Sequence, residues 1–267
     1  EMNSIAPVLY NFMEQFAKSR QNNSQYEQQR LVMENVLASI FKFHLEDEDE
    51  DDSQLLYIEK LVCASFYYGI TSNVPIALPT TSSTSTTITS NNNMNQKSPI
   101  ILNTILPLLC KSIATAAATN NNTTQLTTHL LITMNMFAAC LLHHTAPTLQ
   151  VLERANALGC VPMWMQVTSN CYKSAAVTSG LMDIELALSY EMKITLMATC
   201  ALFQLVAQQP QATFIAAVKS NLREYTVEAI RMLVRLVEMK KKQQAAANSA
   251  AGKKKNKKLF TTMGHTE

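Results

Sequence analysis

A run of seven consecutive carboxylates is the most distinctive chemical feature of this sequence. Like charges at adjacent positions cannot pair with one another, so they concentrate negative potential on the surface that displays them. Such a surface suits the electrostatic capture of a lysine-rich protein. A plain solvated loop is the alternative, because runs of like charge are commonly unstructured. The run consists of Glu46, Asp47, Glu48, Asp49, Glu50, Asp51 and Asp52.

The single tryptophan, Trp164, is the second candidate binding residue. It lies between Met163 and Met165, and Cys160 precedes it by one helical turn. An exposed tryptophan between neighbouring helices could bind a peptide that presents aromatic side chains. Burial in the core is the other interpretation of the same apolar surroundings. The sequence leaves both open.

Two adjacent histidines, His143 and His144, follow Cys140 by one turn and raise the question of a metal site. Neighbouring residues on a helix point to different faces, and no second pair of ligands follows in the sequence. We therefore predict neither a metal nor a cofactor. The sequence also contains no Gly-rich phosphate loop, no GxSxG or HExxH motif and no evident Cys–His pair, so we predict no enzymatic activity.

Lysines cluster in the last part of the sequence. The acidic run contributes −7 and the lysines of 240–258 contribute +8 to a net charge of +2, so the remainder is almost neutral. These lysines would suit a nuclear address, a nucleic-acid tether or a solubilising tail. No aromatic residue lies among them to stack on bases, which argues against nucleic acid as a partner.

The elements that must position these residues are helices. Hydrophobic residues make up 47% of the chain, only five glycines occur, and the apolar positions recur with a helical period. The sequence therefore predicts an all-α fold. We expect helices at about 4–18, 24–43, 53–68, 124–144, 182–208 and 211–242, with a short helix after 145 and another around Trp164. A further helix is expected to open at Ser98 and Pro99 and to end before a polar break at 120–124. Gly69 is expected to end the third of these.

The apolar periodicity also predicts which face of each early helix is buried. For the first helix we expect Ile5, Leu9, Phe12, Met13 and Phe16 to face inward. For the second we expect Leu31, Val36, Ile40 and Phe43. For the third we expect Leu55, Ile58, Val62 and Phe66.

Composition divides the chain into four parts. Residues 1–70 are predicted to be helical repeats with an acidic loop at 46–52, and residues 98–239 further HEAT-like helical repeats. Between them, 71–97 are rich in Ser, Thr and Asn and are expected to form a disordered insertion. A basic disordered tail is expected at 240–267. Antiparallel amphipathic helices joined by short turns favour an α-solenoid over a bundle, although no strict period of about 40 residues is present.

Six scattered cysteines without a CxxC pair indicate reduced thiols in a cytosolic or nuclear protein. Cys200 is expected to be buried, because Ile194, Met197 and Leu205 surround it at helical spacing. Residues 112–152 carry no formal charge, but polar residues interrupt them constantly, so no membrane insertion is predicted. Because the sequence opens on Glu1, we expect it to be a piece of a longer protein.

Two segments resemble a known family. Residues 131–153 read LITMNMFAACLLHHTAPTLQVLE, and residues 190–205 read YEMKITLMATCALFQL. Both are similar to HEAT repeats of the importin-β family of nuclear transport receptors, most of all to the carboxy-terminal part of importins seven and eight. Residues 162–166, PMWMQ, lie where that family has a helix ending near a Gln-Trp-like pair. The basic tail departs from the family pattern, which is acidic there.

The resemblance implies a receptor that carries protein cargo, here basic cargo, through the nuclear pore and shuttles between cytoplasm and nucleus. It further implies contact with nuclear pore repeats, for which Trp164 is the candidate. The GTPase Ran would act through amino-terminal repeats missing from this piece. The alternative is a HEAT-repeat scaffold that assembles a protein complex without transport activity.

Overall fold

The computed structural model describes residues 2–18, 24–47, 52–71, 99–119, 128–168, 182–210 and 212–220, and separate short groups between 223 and 245. Of these residues 90% are helical and none lies in a strand, so the predicted all-α class is confirmed. The helices are α1 (Met2–Lys18), α2 (Ser24–Glu46), α3 (Asp52–Tyr67), α4 (Ile100–Thr119), α5 (Thr128–His143), α6 (Thr145–Arg154), α7 (160–168), α8 (Met182–Gln208) and α9 (Thr213–Ser220).

The helices pack in two rows. In the first row α1 packs on α3, α3 on α5, and α5 on α8. In the second row α2 packs on α4, α4 on α6, and α6 on α9. The rows contact each other through pairs such as α2 with α3, α4 with α5, and α6 with α8. Among the described helices, α1 and α2 therefore come first in their rows, and α8 and α9 come last.

Gly69 ends α3, as predicted. Its φ of 70° lies in the left-handed region that glycine adopts without steric cost. The amide of Gly69 donates to the carbonyl of Phe66, and the amide of Ile70 donates to the carbonyl of Ser65. This pair of bonds is a Schellman motif, which satisfies the last carbonyls of the helix. Ile70 is fully buried and anchors the turn.

The predicted inward face is confirmed for α3 and wrong for α2. Leu55, Ile58, Val62 and Phe66 are all buried. In α2 the exposed fractions of Leu31, Val36 and Phe43 are 42%, 49% and 68%, and Ile40 is only half-buried. The buried face of α2 is instead formed by Tyr26, Arg30, Met33, Glu34, Leu37, Ala38 and Phe41. Two charged residues lie in this face, which is why apolar periodicity selected the other one.

α1 has apolar residues on both faces. Met13 and Phe16 are buried, as expected, and Leu9 is half-buried. Ile5 and Phe12, which we also expected inside, are 44% and 60% exposed. A helix that is apolar on more than one face is normally covered on more than one face. The outward side of α1 is therefore a candidate contact surface.

α5 lies at the centre of the first row. It contacts α3, α4, α6 and α8, and every residue of 132–141 is buried. The polar members of this segment are satisfied inside: the amide nitrogen of Asn135 donates to the carboxylate of Glu59 at 3.2 Å. A buried hydrogen bond therefore joins α5 to α3, in addition to their packing contacts.

α8 has the predicted bounds, and its predicted inward face is confirmed only in part: Leu205 is buried and Ile194 is half-buried. Cys200 is exposed and Met197 is 54% exposed, so the expectation of a buried Cys200 is wrong. Within 193–208, the part of α8 whose side chains are described, the buried positions are Thr195, Ala198, Thr199, Leu202 and Leu205. Thr199 enters the core because its hydroxyl donates to the carbonyl of Thr195 at 2.8 Å. This local bond lets a polar residue occupy an inward position that apolar periodicity does not reveal.

Among the described residues, one helical segment, 100–118, is long and apolar enough to cross a membrane. In this structure it packs on α2, α5 and α6. Its inward positions Ile101, Ile105, Leu109 and Ile113 are fully or almost fully buried. The apolar composition of this segment therefore contributes to the helical core.

Two predicted boundaries need correction. The sequence predicts a disordered insertion from residue 71, but Thr71 is buried and its hydroxyl oxygen lies 2.5 Å from Nε2 of His144. The rest of the predicted insertion, 72–97, lies outside the described residues. The sequence also predicts a disordered tail from residue 240, but Lys240, Lys241 and Lys242 are helical. Lysine is a good helix former, so composition alone placed that boundary too early.

Candidate protein-binding surface

The acidic run connects α2 to α3. Glu46 is the last residue of α2, Asp47 follows it, and Asp52 is the first residue of α3. The remaining four members of the run, 48–51, lie outside the described residues. The predicted loop is thus shorter than 46–52, because both of its terminal residues belong to helices.

The described carboxylates of the run are at the surface. Glu46 lies 3.8 Å from the ammonium group of Lys42, and the two side chains are 50% and 59% exposed. Asp47 is also exposed. An exposed ion pair of this length contributes little to stability. Glu46 and Asp47 therefore add negative potential to the surface at the end of α2.

Trp164 is a core residue. Its exposed fraction is 0%, its indole N–H donates to the carbonyl of Met134 at 3.3 Å, and its ring centre lies 5.8 Å from that of Phe137. A pore repeat would have to displace this packing to reach the ring. The core interpretation of Trp164 is confirmed, and the side chain as placed offers no surface for pore-repeat contact.

Sequence reasoning missed an apolar groove between α1 and α2. We call it the first-pair groove; its volume is about 890 Å³. Phe12 and Val32 project at its mouth with exposed fractions of 60% and 64%. None of its lining residues is charged; they are Leu9, Phe12, Met13, Gln15, Phe16, Gln28, Gln29, Val32, Met33, Val36 and Leu37. The apolar residues on both faces of α1 and α2 were the available signal, and we interpreted them as core.

A second exposed apolar surface lies beyond α9. We call it the 227–237 stripe; its members are Val227, Ile230, Leu233, Val234 and Val237, each between 41% and 55% exposed. They are helical, and their spacing of three and four residues places most of them on one face. Arg223, Arg231 and Lys240 are exposed in the same stretch. Glu224 and Glu238 are exposed there too, while Lys241 and Lys242 follow Lys240, so the positive charge of the described residues is concentrated at the end of the stretch.

α2 also contains a buried ion pair. Nη1 of Arg30 donates to the carboxylate of Glu34 at 3.1 Å, and both side chains are 2% exposed. The same Nη1 donates to the carbonyl of Ile70 at 2.6 Å, and the amide of Ile101 donates to the other oxygen of Glu34 at 3.3 Å. Burial raises the pKa of Glu34, against the opposing effects of the Ile101 amide and Arg30. These polar groups bond to one another and have a structural role.

The paired histidines contact aromatic and hydroxyl groups. The ring centre of His144 lies 5.0 Å from that of Phe66 in an edge-on arrangement, and Nε2 of His144 bonds to Thr71. Burial, and secondarily the neighbouring His143, lower the pKa of His144 to about 4. Within the described part of the chain, no group of three or more His, Cys, Asp or Glu side chains could hold a metal ion.

Most described cysteines lie inside. Cys110, Cys140 and Cys160 are buried and Cys63 is half-buried, while Cys171 falls outside the described residues. The thiol of Cys160 lies 4.0 Å from the carbonyl oxygen of Cys110. Burial raises the pKa of Cys63 to about 12. A thiol of this kind stays protonated at neutral pH and is a poor nucleophile.

Comparison with known proteins adds no relative. No family model matches the chain, and neither the curated proteins nor the solved structures yield a match. The resemblance to importin repeats in 131–153 and 190–205 stays a prediction. The first of these segments covers most of α5 and all of α6 except its last residue, and the second lies within α8. Both therefore fall on helices that pack against each other.

Proposed function

We propose that this chain is part of an α-solenoid of HEAT-type helices, with α1, α3, α5 and α8 as one row of the array and α2, α4, α6 and α9 as the other. The observation that carries the proposal is the packing of each helix on the next member of its own row. Stacked pairs that contact mainly their neighbours are the defining property of helical repeat proteins. Such arrays present long surfaces, and protein binding is their most common use.

The proposed function is that of an importin-like nuclear transport receptor segment, which binds basic protein cargo. The resemblance in 131–153 and 190–205 supports this assignment, since both segments coincide with stacked helices. Cargo release by Ran and contact with pore repeats follow from the same resemblance, as does shuttling between cytoplasm and nucleus. Because Trp164 is buried, we assign no described residue to the pore repeats.

The acidic run is the proposed cargo-binding element. The run links the end of α2, at Glu46, to the beginning of α3, at Asp52, and Glu46 and Asp47 are exposed. Single exposed pairs contribute about 0 to 1 kcal/mol, so affinity must come from the sum of many. That sum is screened over about 8 Å at physiological salt. Binding through the run should consequently weaken steeply as salt is added.

A charge-neutralised variant tests this proposal. All seven members of the run are changed to Gln or Asn, and the affinity for a lysine-rich histone or ribosomal protein is measured at low and physiological salt. We expect affinity to fall about tenfold or more at low salt, and the salt dependence to become shallower. Circular dichroism checks that the helices are retained.

A matched control separates the effect of charge in the acidic run from the effect of the net charge of the chain. Changing Glu46, Asp47 and Asp52 to their amides removes three charges from the run, and changing Glu153, Glu224 and Glu238 removes three elsewhere. Cargo capture by the run requires the first triple variant to bind more weakly than the second. Equal affinities, or an unchanged salt dependence in the fully neutralised variant, would reduce the run to a solvated connection.

A further inference from the structure

Two exposed apolar surfaces among the described residues have complementary forms. The first-pair groove lies between α1 and α2, the first described helices of the two rows. The 227–237 stripe lies on a helical stretch that follows α9, the last described helix of the second row. A groove and an amphipathic helix are the two halves of a common recognition mode, in which the helix lays its apolar face into the groove.

The groove and the stripe match in chemistry. Every lining residue of the groove is apolar or glutamine, so a charged ligand would gain nothing there. The stripe supplies only aliphatic side chains, from Val227 to Val237. Burying them against Phe12 and Val32 would remove two exposed apolar surfaces from water at once, which is the main source of free energy in protein association.

Their charges match in position as well. Val32 to Glu46 on α2 and Val227 to Lys241 beyond α9 are both separations of 14 residues, or about 21 Å of helix. If the stripe lies along α2 in a parallel direction with Val227 near Val32, then Lys241 comes next to Glu46. Lys240 and Lys242 flank it and are exposed, as are Glu46 and Asp47. This register pairs the basic end of one helix with the acidic end of the other.

We propose that the 227–237 stripe of one copy docks in the first-pair groove of a second copy, parallel to its α2. The contact is heterologous, since the two copies use different surfaces, and each end molecule keeps one open groove or stripe. The inference concerns self-association and is independent of any transport activity.

Two single variants and their mixture test this arrangement on the whole 267-residue chain. Val32→Glu blocks the groove and Val234→Glu blocks the stripe, and both residues are at least half exposed, so folding should be retained. Sedimentation velocity in reducing buffer, from about 1 to about 100 µM, should show association of the parent chain in this range of typical weak affinities. Each variant alone should be monomeric.

The mixture is the decisive sample. Val234→Glu keeps an intact groove and Val32→Glu keeps an intact stripe, so together they should form a 1:1 dimer that grows no further. Val36→Glu and Val237→Glu form an independent second pair of variants, and circular dichroism checks the fold of each. Met197→Glu, at a 54% exposed position on α8, is the matched control and should associate like the parent.

Three results would overturn the proposal. The first is a parent chain that remains monomeric at about 100 µM. The second is a groove variant that abolishes association while the stripe variant does not, since that result indicates a symmetric groove-to-groove contact. The third is a mixture that stays monomeric although both variants are folded and the parent associates.

Discussion

Arg30 and Glu34 form a buried ion pair that holds the chain at both sides of the long Ser/Thr/Asn-rich segment. Arg30 binds the carbonyl of Ile70, just before that segment, and Glu34 accepts the amide of Ile101, just after it. The pair joins α2 to the end of α3 and the beginning of α4. The pair therefore fixes the described chain on either side of the segment, at Ile70 and at Ile101.

We predict that Arg30→Met lowers the free energy of unfolding by about 3 to 5 kcal/mol, because it leaves the Glu34 carboxylate buried without its cation. The double change of Arg30→Met and Glu34→Leu should recover part of this loss. Full recovery is not expected, since the carbonyl of Ile70 and the amide of Ile101 would lack these partners. Urea unfolding measures all three proteins.

Lys42→Met is the control for that series, because it breaks the exposed pair with Glu46. Its expected cost is below about 1 kcal/mol. If Arg30→Met were as mild as Lys42→Met, the buried pair would have no special role in joining the helices.

We predict a pH-dependent contribution from His144. Its pKa is about 4 in the folded chain and about 6.5 when unfolded, so the unfolded state binds more protons between these values. The contribution is fully present above pH 6.5 and is lost as the pH falls toward 4. When the pH is lowered from 6.5 to 4, the free energy of unfolding of the parent should therefore decrease by up to about 3 kcal/mol more than that of His144→Gln.

The contribution of Glu34 to stability has the opposite pH dependence. Its raised pKa makes ionisation unfavourable in the folded state, so this contribution decreases as the pH rises. It is present in both proteins and cancels in the comparison. His129→Gln, at the beginning of α5, controls for the loss of a histidine. Parallel pH profiles for the parent and His144→Gln would contradict the assigned burial of His144.

We predict that most of the segment between Thr71 and Pro99 can be removed. Replacing 74–97 with a short Gly/Ser linker should change the melting temperature by less than about 2 °C, because its composition cannot form a packed face. A deletion that also removes Thr71 should cost more, since it takes away the bond to His144. Equal melting temperatures for the two deletions would show that Thr71 does not anchor the segment.

We predict that the fluorescence of Trp164 reports on the packing of the core. It is the only tryptophan and is fully buried, so its emission should be blue-shifted and resist quenching by acrylamide until the chain unfolds. Trp164→Ala should destabilise the protein by about 3 to 5 kcal/mol, as expected for a large core side chain. Ready quenching in the native state would place the indole at the surface instead.

The sequence predicted α3 and α8 well as elements, because their periodic segments end at a clear signal. Gly69 ends α3 through a left-handed turn, and α8 ends before Pro210. It predicted the inward faces less well wherever polar residues were buried with partners. Arg30, Glu34 and Thr199 occupy core positions because each finds a bond there, and no single-sequence pattern reveals such a distant or local partner.

The binding surface was predicted in part. The position of the acidic run between two helices follows from the sequence, since charge cannot be buried there. The first-pair groove does not, because the exposed and buried apolar residues of α1 and α2 look alike until their neighbours are known. Phe12 and Met13 are adjacent in sequence, yet one is 60% exposed and the other 1%.

Release of a bound basic protein by GTP-loaded Ran is the most direct test of the proposed transport function. The affinity of the protein in its full-length natural form for a lysine-rich ribosomal protein is measured alone, with GTP-loaded Ran and with GDP-loaded Ran. The account predicts that the GTP form weakens binding by at least about tenfold, a coupling of about 1.4 kcal/mol, and that the GDP form does not. Equal affinities in all three conditions would contradict the carrier function and leave a scaffold that binds partners without Ran.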